Sequence, residues 1–159
     1  LDSEHTDYVI RSCDLDAVIR EAVKKFSGEF IRRGIRLEYK GVNLKVITDE
    51  KWLEFVLEQL ISNALKYTPA GSVAIYQEPG PTLCIADTGI GIAPEDLPRI
   101  FENGYTGLNG RRDKRASGIG LYLCRRVCQN LGHEISAEST PGKGTTIRLN
   151  LARRESTYE

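Results

Sequence analysis

Methionine is absent from this chain of 159 residues, tryptophan occurs once and histidine twice. With no initiator, and Leu1 as its first residue, the chain reads as a piece of a longer protein. His5 and His133 supply too few imidazoles for a zinc cluster, and Cys13, Cys84, Cys124 and Cys128 lack the spacing of one. Cys124 and Cys128 share a face of a helical pattern and read as small buried hydrophobes in a reducing compartment. Net charge is missing as well. With 22 basic against 22 acidic residues, no overall field draws the chain to nucleic acid or to an anionic membrane. No apolar run approaches the roughly 20 residues of a membrane-spanning helix, and no secretory leader is visible. Repeats and low-complexity stretches are also lacking. What remains is an ordinary globular balance, 40% hydrophobic and 28% charged, sufficient for one domain with a core.

Apolar residues at helical spacing run from Leu15 through Val18, Ile19, Ala22, Val23, Phe26 and Phe30, predicting a helix from Asp14, its N-cap, to about Arg33, with Gly34 as the stop. Short strands follow over Ile35–Tyr39 and Leu44–Thr48. Asp49 opens a second helix whose stripe is Leu53, Val56, Leu57, Leu60, Ile61 and Ala64, ended by Pro69 and Gly71. Ser72–Gln77 and Thr82–Ala86 read as a hairpin. The glycine-rich and charged stretch from Asp87 to Ser117 looks helical only over Pro94–Phe101, and its length suits a functional flap. A third helix spans Gly118 to about Leu131, and closing strands lie near Glu134–Ser139 and Thr145–Leu151. Three amphipathic helices against a largely antiparallel sheet give a two-layer α+β domain.

Chemistry concentrates at four places. On the second helix Asn63 and either Lys66 or Tyr67 share a side with Gln59; an amide oxygen suits a hard cation, an ammonium suits phosphate and a phenol ring suits a base. After a strand comes Asp87-Thr88-Gly89-Ile90-Gly91-Ile92, a carboxylate able to accept from an exocyclic amine, followed by glycines that let backbone approach a ligand. Gly118-Ile119-Gly120-Leu121 opens the third helix, where free N–H groups and the helix dipole favour anions, and Arg111, Arg112, Lys114 and Arg115 concentrate positive charge just before it. Gly142-Lys143-Gly144-Thr145 places a hydroxyl at the start of the last strand.

In this order the four runs resemble the N, G1, G2 and G3 boxes of the Bergerat-fold ATPase/kinase superfamily, over about Tyr8 to Leu151. The resemblance implies a two-layer α/β sandwich: a mixed, mostly antiparallel sheet covered on one face by three helices, with a mobile ATP lid. Asn63 to Pro69 is similar to the N box, and Arg99-Ile100-Phe101-Glu102 to the F box, of sensor histidine kinases. That similarity implies ATP and Mg²⁺ as cofactors. Asn63 would hold the metal, Lys66 would meet phosphate, and Tyr67 would pack on adenine. Asp87 would take the adenine amino group within a pocket shared by Gly89, Gly91 and Ile92, with Thr145 supporting it through water. Gly118 and Gly120 would hinge the lid and bring backbone N–H groups to the phosphates, Leu121 would belong to the same ATP site, and Lys114 or Arg115 would reach the γ-phosphate. The chaperone and topoisomerase branches carry a hydrolytic Glu where this chain has Gln59, which cannot act as a base.

The implied activity is transfer of the γ-phosphoryl of Mg-ATP to a histidine on a separate dimerisation domain, and from there to a response regulator. Neither His5 nor His133 sits in an acceptor pattern. Residues 1–7 are expected to end a linker, residues 8–152 to form the catalytic domain, and residues 153–159 to be a tail. Phe101 to Gly107 and Gly118 to Leu123 are most similar to bacitracin-sensor-type, intramembrane-sensing kinases paired with peptide-antibiotic ABC transporters. The expectation is thus a monomeric cytoplasmic piece of a homodimer anchored in a bacterial membrane, with no nucleic-acid partner. The weighed alternatives are a hydrolytic ATPase or an anti-sigma-factor-type serine kinase on the same fold, and a nucleotide-free interaction module.

Overall fold

The computed structural model describes residues 7–105 and 120–153. Strand β1 (Arg11–Asp14) leads into helices α1 (Leu15–Lys24) and α2 (Ser27–Arg33), then strands β2 (Arg36–Tyr39) and β3 (Lys45–Thr48). Helix α3 (Glu50–Lys66) is followed by β4 (Ser72–Glu78), β5 (Thr82–Asp87), helix α4 (Gly120–Leu131), β6 (Glu134–Thr140) and β7 (Gly144–Asn150). The main sheet has the order β2-β4-β5-β7-β6, with β2 parallel to β4 and every other pair antiparallel, and β1 pairs with β3 in a separate ribbon.

Period-two alternation selects the covered face of the sheet. Val73 and Ile75, Leu83 and Ile85, and Ile147 and Leu149 point into one core with Leu15, Ile19, Leu53, Leu57, Leu60, Ile61 and Leu131 from the helices. Each such side chain removed from water contributes on the order of 2 kcal/mol, so this layer dominates the stability. On the opposite face Arg148 pairs with Glu78 and Glu138 at 3.0 and 2.9 Å.

Both predicted N-caps are present. Asp14 accepts from the amide of Asp16, and Asp49 Oδ1 from that of Trp52 at 3.0 Å. The run read as one helix from Asp14 to Arg33 is two. The amides of Lys25 and Phe26 fold back to Ala22 and Val23, and the Ser27 hydroxyl takes the Lys24 carbonyl, so Ser27-Gly28 starts a new axis. The helix expected over Pro94–Phe101 shrinks to a 3-10 turn at Leu97–Arg99. Pro94 and Pro98 lack amides, and an α-helix would need the one at Pro98. Strand β1 was not anticipated: only Cys13 in it is buried, so no alternation marks it. Its flank is tied down, with the Val9 amide donating to Asp49 Oδ2 at 2.7 Å and Tyr8 packing edge-on to Trp52.

His133, at the entry to β6, is 4% exposed, and its Nε2 lies 2.8 Å from the Thr48 hydroxyl. Burial depresses its pKa to about 4, the nearby Arg153 charge adding to the effect and the Ala152 backbone opposing it. An imidazole so enclosed is part of the packing. All four cysteines are free and buried, and burial holds the thiol of Cys84 up at about 11 and that of Cys128 at about 12. Among the described residues, no helix is long and apolar enough to cross a membrane.

Candidate functional site

The end of α3, the loop leaving β5 and the β6–β7 turn meet at one end of the sheet, and α4 starts beside Gln59 of α3. Helix α3 stops because Pro69 and Gly71 follow; Tyr67 donates its amide to Asn63 and offers its carbonyl to the amide of Ile90 at 3.0 Å. This bond draws the Asp87–Ile92 loop against the helix end. Gly89 is required there: a Cβ on it would lie 2.1 Å from the Tyr67 carbonyl oxygen. Gly91 takes φ +78°, and a side chain on it would collide with the Thr140 carbonyl. The loop is held from the other side as well, since Gly142 donates to the Ile90 carbonyl at 2.7 Å and Ile92 to the Ser139 hydroxyl at 2.8 Å.

Asp87 closes β5 and stands opposite Thr145 in the ladder. Its Oδ1 accepts the amides of Gly89 at 2.9 Å and Thr145 at 3.2 Å. Both bonds use the same oxygen, so the carboxylate is fixed in orientation while Oδ2 accepts nothing from the described residues. Burial raises its pKa above the ordinary value, and the two amides offset part of that. The Thr145 backbone amide bonds Asp87 directly, and its hydroxyl pairs with Ser139 Oγ at 2.8 Å. Because the one Ser139 proton goes to the Gly144 carbonyl at 2.9 Å, Thr145 is the donor in that pair. Ser139 therefore ties the loop after β5 to the β6–β7 turn. As a lone serine in a strand it carries no sequence signal for that task.

Asn63 is half-buried one turn before Tyr67, and its carboxamide makes no hydrogen bond with the described residues. Lys66 is exposed, its Nζ 6.0 Å from the centre of the Tyr67 ring. One turn before Asn63, the Gln59 Oε1 sits 3.0 Å from where a Cβ on Gly120 would be, so the start of α4 abuts the Asn63 side of α3. Leu121, next along, is half-buried against the core. Glu58 points elsewhere, into an ion pair with Lys25 at 2.5 Å that also takes in Glu54 at 2.9 Å. The structure thus brings Tyr67, Asp87, Gly89, Gly91, Ile92 and Thr145 together, with Asn63 and Gly120 on the adjoining helix ends. Lys114, Arg115 and Gly118, with Arg111 and Arg112, lie outside the described residues.

No cluster of three or more His, Cys, Asp or Glu side chains could cage a metal among the described residues. The amide oxygen of Asn63 is a single hard donor, the kind Mg²⁺ takes from protein where phosphate and water supply the other ligands.

Residues 48–155 match the family model for histidine kinase-, DNA gyrase B-, and HSP90-like ATPases. The sensor protein BceS of Halalkalibacterium halodurans is 37% identical over 150 residues, covering 92% of this chain and 45% of that protein. The sensor histidine kinase GraS of Staphylococcus haemolyticus is likewise 37% identical, covering 97% of this chain and 46% of that protein. The chain therefore spans less than half the length of these curated relatives. Among solved structures, full-length ShkA in complex with AMPPNP superposes with a TM-score of 0.74 at 23% identity, over 91% of this chain and 31% of that one.

Proposed function

The chain belongs to the family of histidine kinase-, DNA gyrase B-, and HSP90-like ATPases, in its sensor histidine kinase branch, and from that premise we propose how its residues bind Mg-ATP and hand on its γ-phosphoryl group. The observation that carries the reading is the Asp87 carboxylate: two amides hold one oxygen and leave the other for a ligand N–H, on a turn that Gly89 packs against the Tyr67 carbonyl. This is the hydrogen-bond pattern that an adenine amino group requires. Tyr67 offers a ring for the base. Asn63 presents an uncommitted amide oxygen on the side where α4 begins, and Lys66 adds a positive charge one turn on. Asn63 is the residue that would hold Mg²⁺, which neutralises phosphate charge during transfer. The AMPPNP bound by ShkA, on the same fold, is in keeping with this reading.

Gln59 and Glu58 favour a kinase over a hydrolytic ATPase. The amide of Gln59 has no basic oxygen to activate water, and Glu58 is committed to Lys25 on another side of α3. The transfer breaks the bond from the γ-phosphorus to its bridging oxygen and forms one to the unprotonated nitrogen of a neutral imidazole; ADP leaves with the bridging oxygen, and the other ring nitrogen releases its proton to solvent. Protein groups contribute mainly by positioning and charge neutralisation. The acceptor belongs to a separate dimerisation domain and the next recipient is a response regulator. Residues 8–152 form the catalytic unit, cytoplasmic in a protein anchored in the membrane, in the manner of sensor kinases that work beside a peptide-antibiotic transporter.

Incubation with γ-labelled ATP tests this assignment. The chain should bind nucleotide without retaining label, because His133 is enclosed and His5 lacks an acceptor pattern, and an added acceptor-histidine hairpin should become labelled. Stable phosphohistidine at His133 or His5 would contradict it.

A further inference from the structure

Arg33 ends α2 and belongs to none of the four motifs, yet its guanidinium reaches the end of α3. Nη1 donates to the Leu65 carbonyl at 2.5 Å and Nη2 to the Thr68 carbonyl at 2.9 Å, while Glu29 sits 3.5 Å from Nη1 one turn back. Carbonyls at a helix C-terminus carry partial negative charge and lack intrahelical partners, so a cation there is favourable. Arginine meets the two carbonyls with two separate nitrogens held in one plane, which fixes their spacing; lysine brings one nitrogen and no such plane. Between the two bonded carbonyls lies Tyr67. Its own carbonyl takes the Ile90 amide and leaves no room for a side chain on Gly89, two residues from Asp87. One guanidinium thus grips the segment that forms the wall facing the Asp87 turn. The grip comes from α2, whose C-cap Gly34 in the left-handed region turns the chain toward β2.

We propose that Arg33 is a positioning residue of the nucleotide site: by holding residues 65–68 it keeps Tyr67 in register with the Asp87 turn and so sustains selectivity for the 6-amino base. This rests on the nucleotide reading above and deepens it. A residue that only stabilises the fold would lower the melting temperature and leave the preference among bases intact. A residue that positions the base wall changes that preference at temperatures far below melting.

The test is calorimetric titration of the chain with Mg-ATP and Mg-ITP, ITP carrying a carbonyl where ATP carries the amine, for the native protein, R33K and R33M. The native chain should prefer ATP. In R33M that preference should contract about tenfold, the loss falling on ATP, with R33K in between because it restores the charge without the planar fork. Should R33M melt below the assay temperature, the R33K preference decides. Native ATP-over-ITP preference in the folded variants would overturn the proposal, whatever their melting temperatures. A native chain that binds no ATP would overturn the nucleotide reading itself, and this inference with it.

Discussion

Asp87→Asn is expected to lower affinity for Mg-ATP by about 100-fold, on the order of 3 kcal/mol, while the domain remains folded. Both effects follow from one geometry. The Gly89 and Thr145 amides converge on Oδ1, and the carbonyl oxygen of an asparagine can take both bonds unchanged. The asparagine NH₂ group then replaces Oδ2, so a donor faces the adenine amino donor. ITP offers an acceptor at that position and should lose far less, so the ATP-over-ITP preference should collapse or invert. The same logic gives a pH dependence. With its pKa raised by burial, Asp87 takes up a proton sooner than an ordinary carboxylate as pH falls, and once protonated it is no longer a clean acceptor. ATP affinity should weaken at the acid end ahead of unfolding. Calorimetry of the variant checks the substitution, and unchanged ATP affinity would remove Asp87 from the site.

The second large effect is on stability. His133 is held neutral, its pKa of about 4 lying below the ordinary 6.5. As pH drops below about 6.5 the unfolded chain takes up a proton that the folded chain refuses. Stability therefore falls from there down to about pH 4, by ~3 kcal/mol from this residue alone. His133→Gln cannot titrate and can still bond Thr48, so its melting temperature should fall much less between pH 7 and pH 4 than that of the native chain. Carboxylates that titrate in the same range affect both proteins alike, and the difference between the two melting curves isolates the imidazole. Parallel curves would show that His133 is charged or exposed, which would also reopen it as a phosphoryl acceptor.

Much of this was legible in the residues because local rules and the fold agree. Asp14 and Asp49 precede apolar runs of helical period and do cap helices. The hairpin read over Ser72–Gln77 and Thr82–Ala86 is an antiparallel pair, with Glu78 opposite Thr82. Gly89 and Gly91 stood out as places where the chain must pass close to something; a ligand was the expected neighbour, and the Tyr67 and Thr140 carbonyls are what they approach. What was hidden depends on partners far away in sequence. The parallel pairing of β2 with β4 spans the whole of α3, and strand periodicity says nothing of a neighbour's direction. Ser139 acts on Ile92, 47 residues away, and Arg33 on Thr68, 35 residues away. Neither residue type is unusual where it stands. The division into α1 and α2 was missed because Phe26 and Phe30 keep the apolar stripe running across a backbone break that only Ser27 and Gly28 mark.

The central claim is tested most directly by solving the structure of the chain with Mg²⁺ and AMPPNP. The adenine amino nitrogen should lie about 3 Å from Asp87 Oδ2, with the ring against Tyr67 and the metal on the amide oxygen of Asn63. A nucleotide seated away from Asp87, or a metal held with Asn63 turned aside, would contradict it.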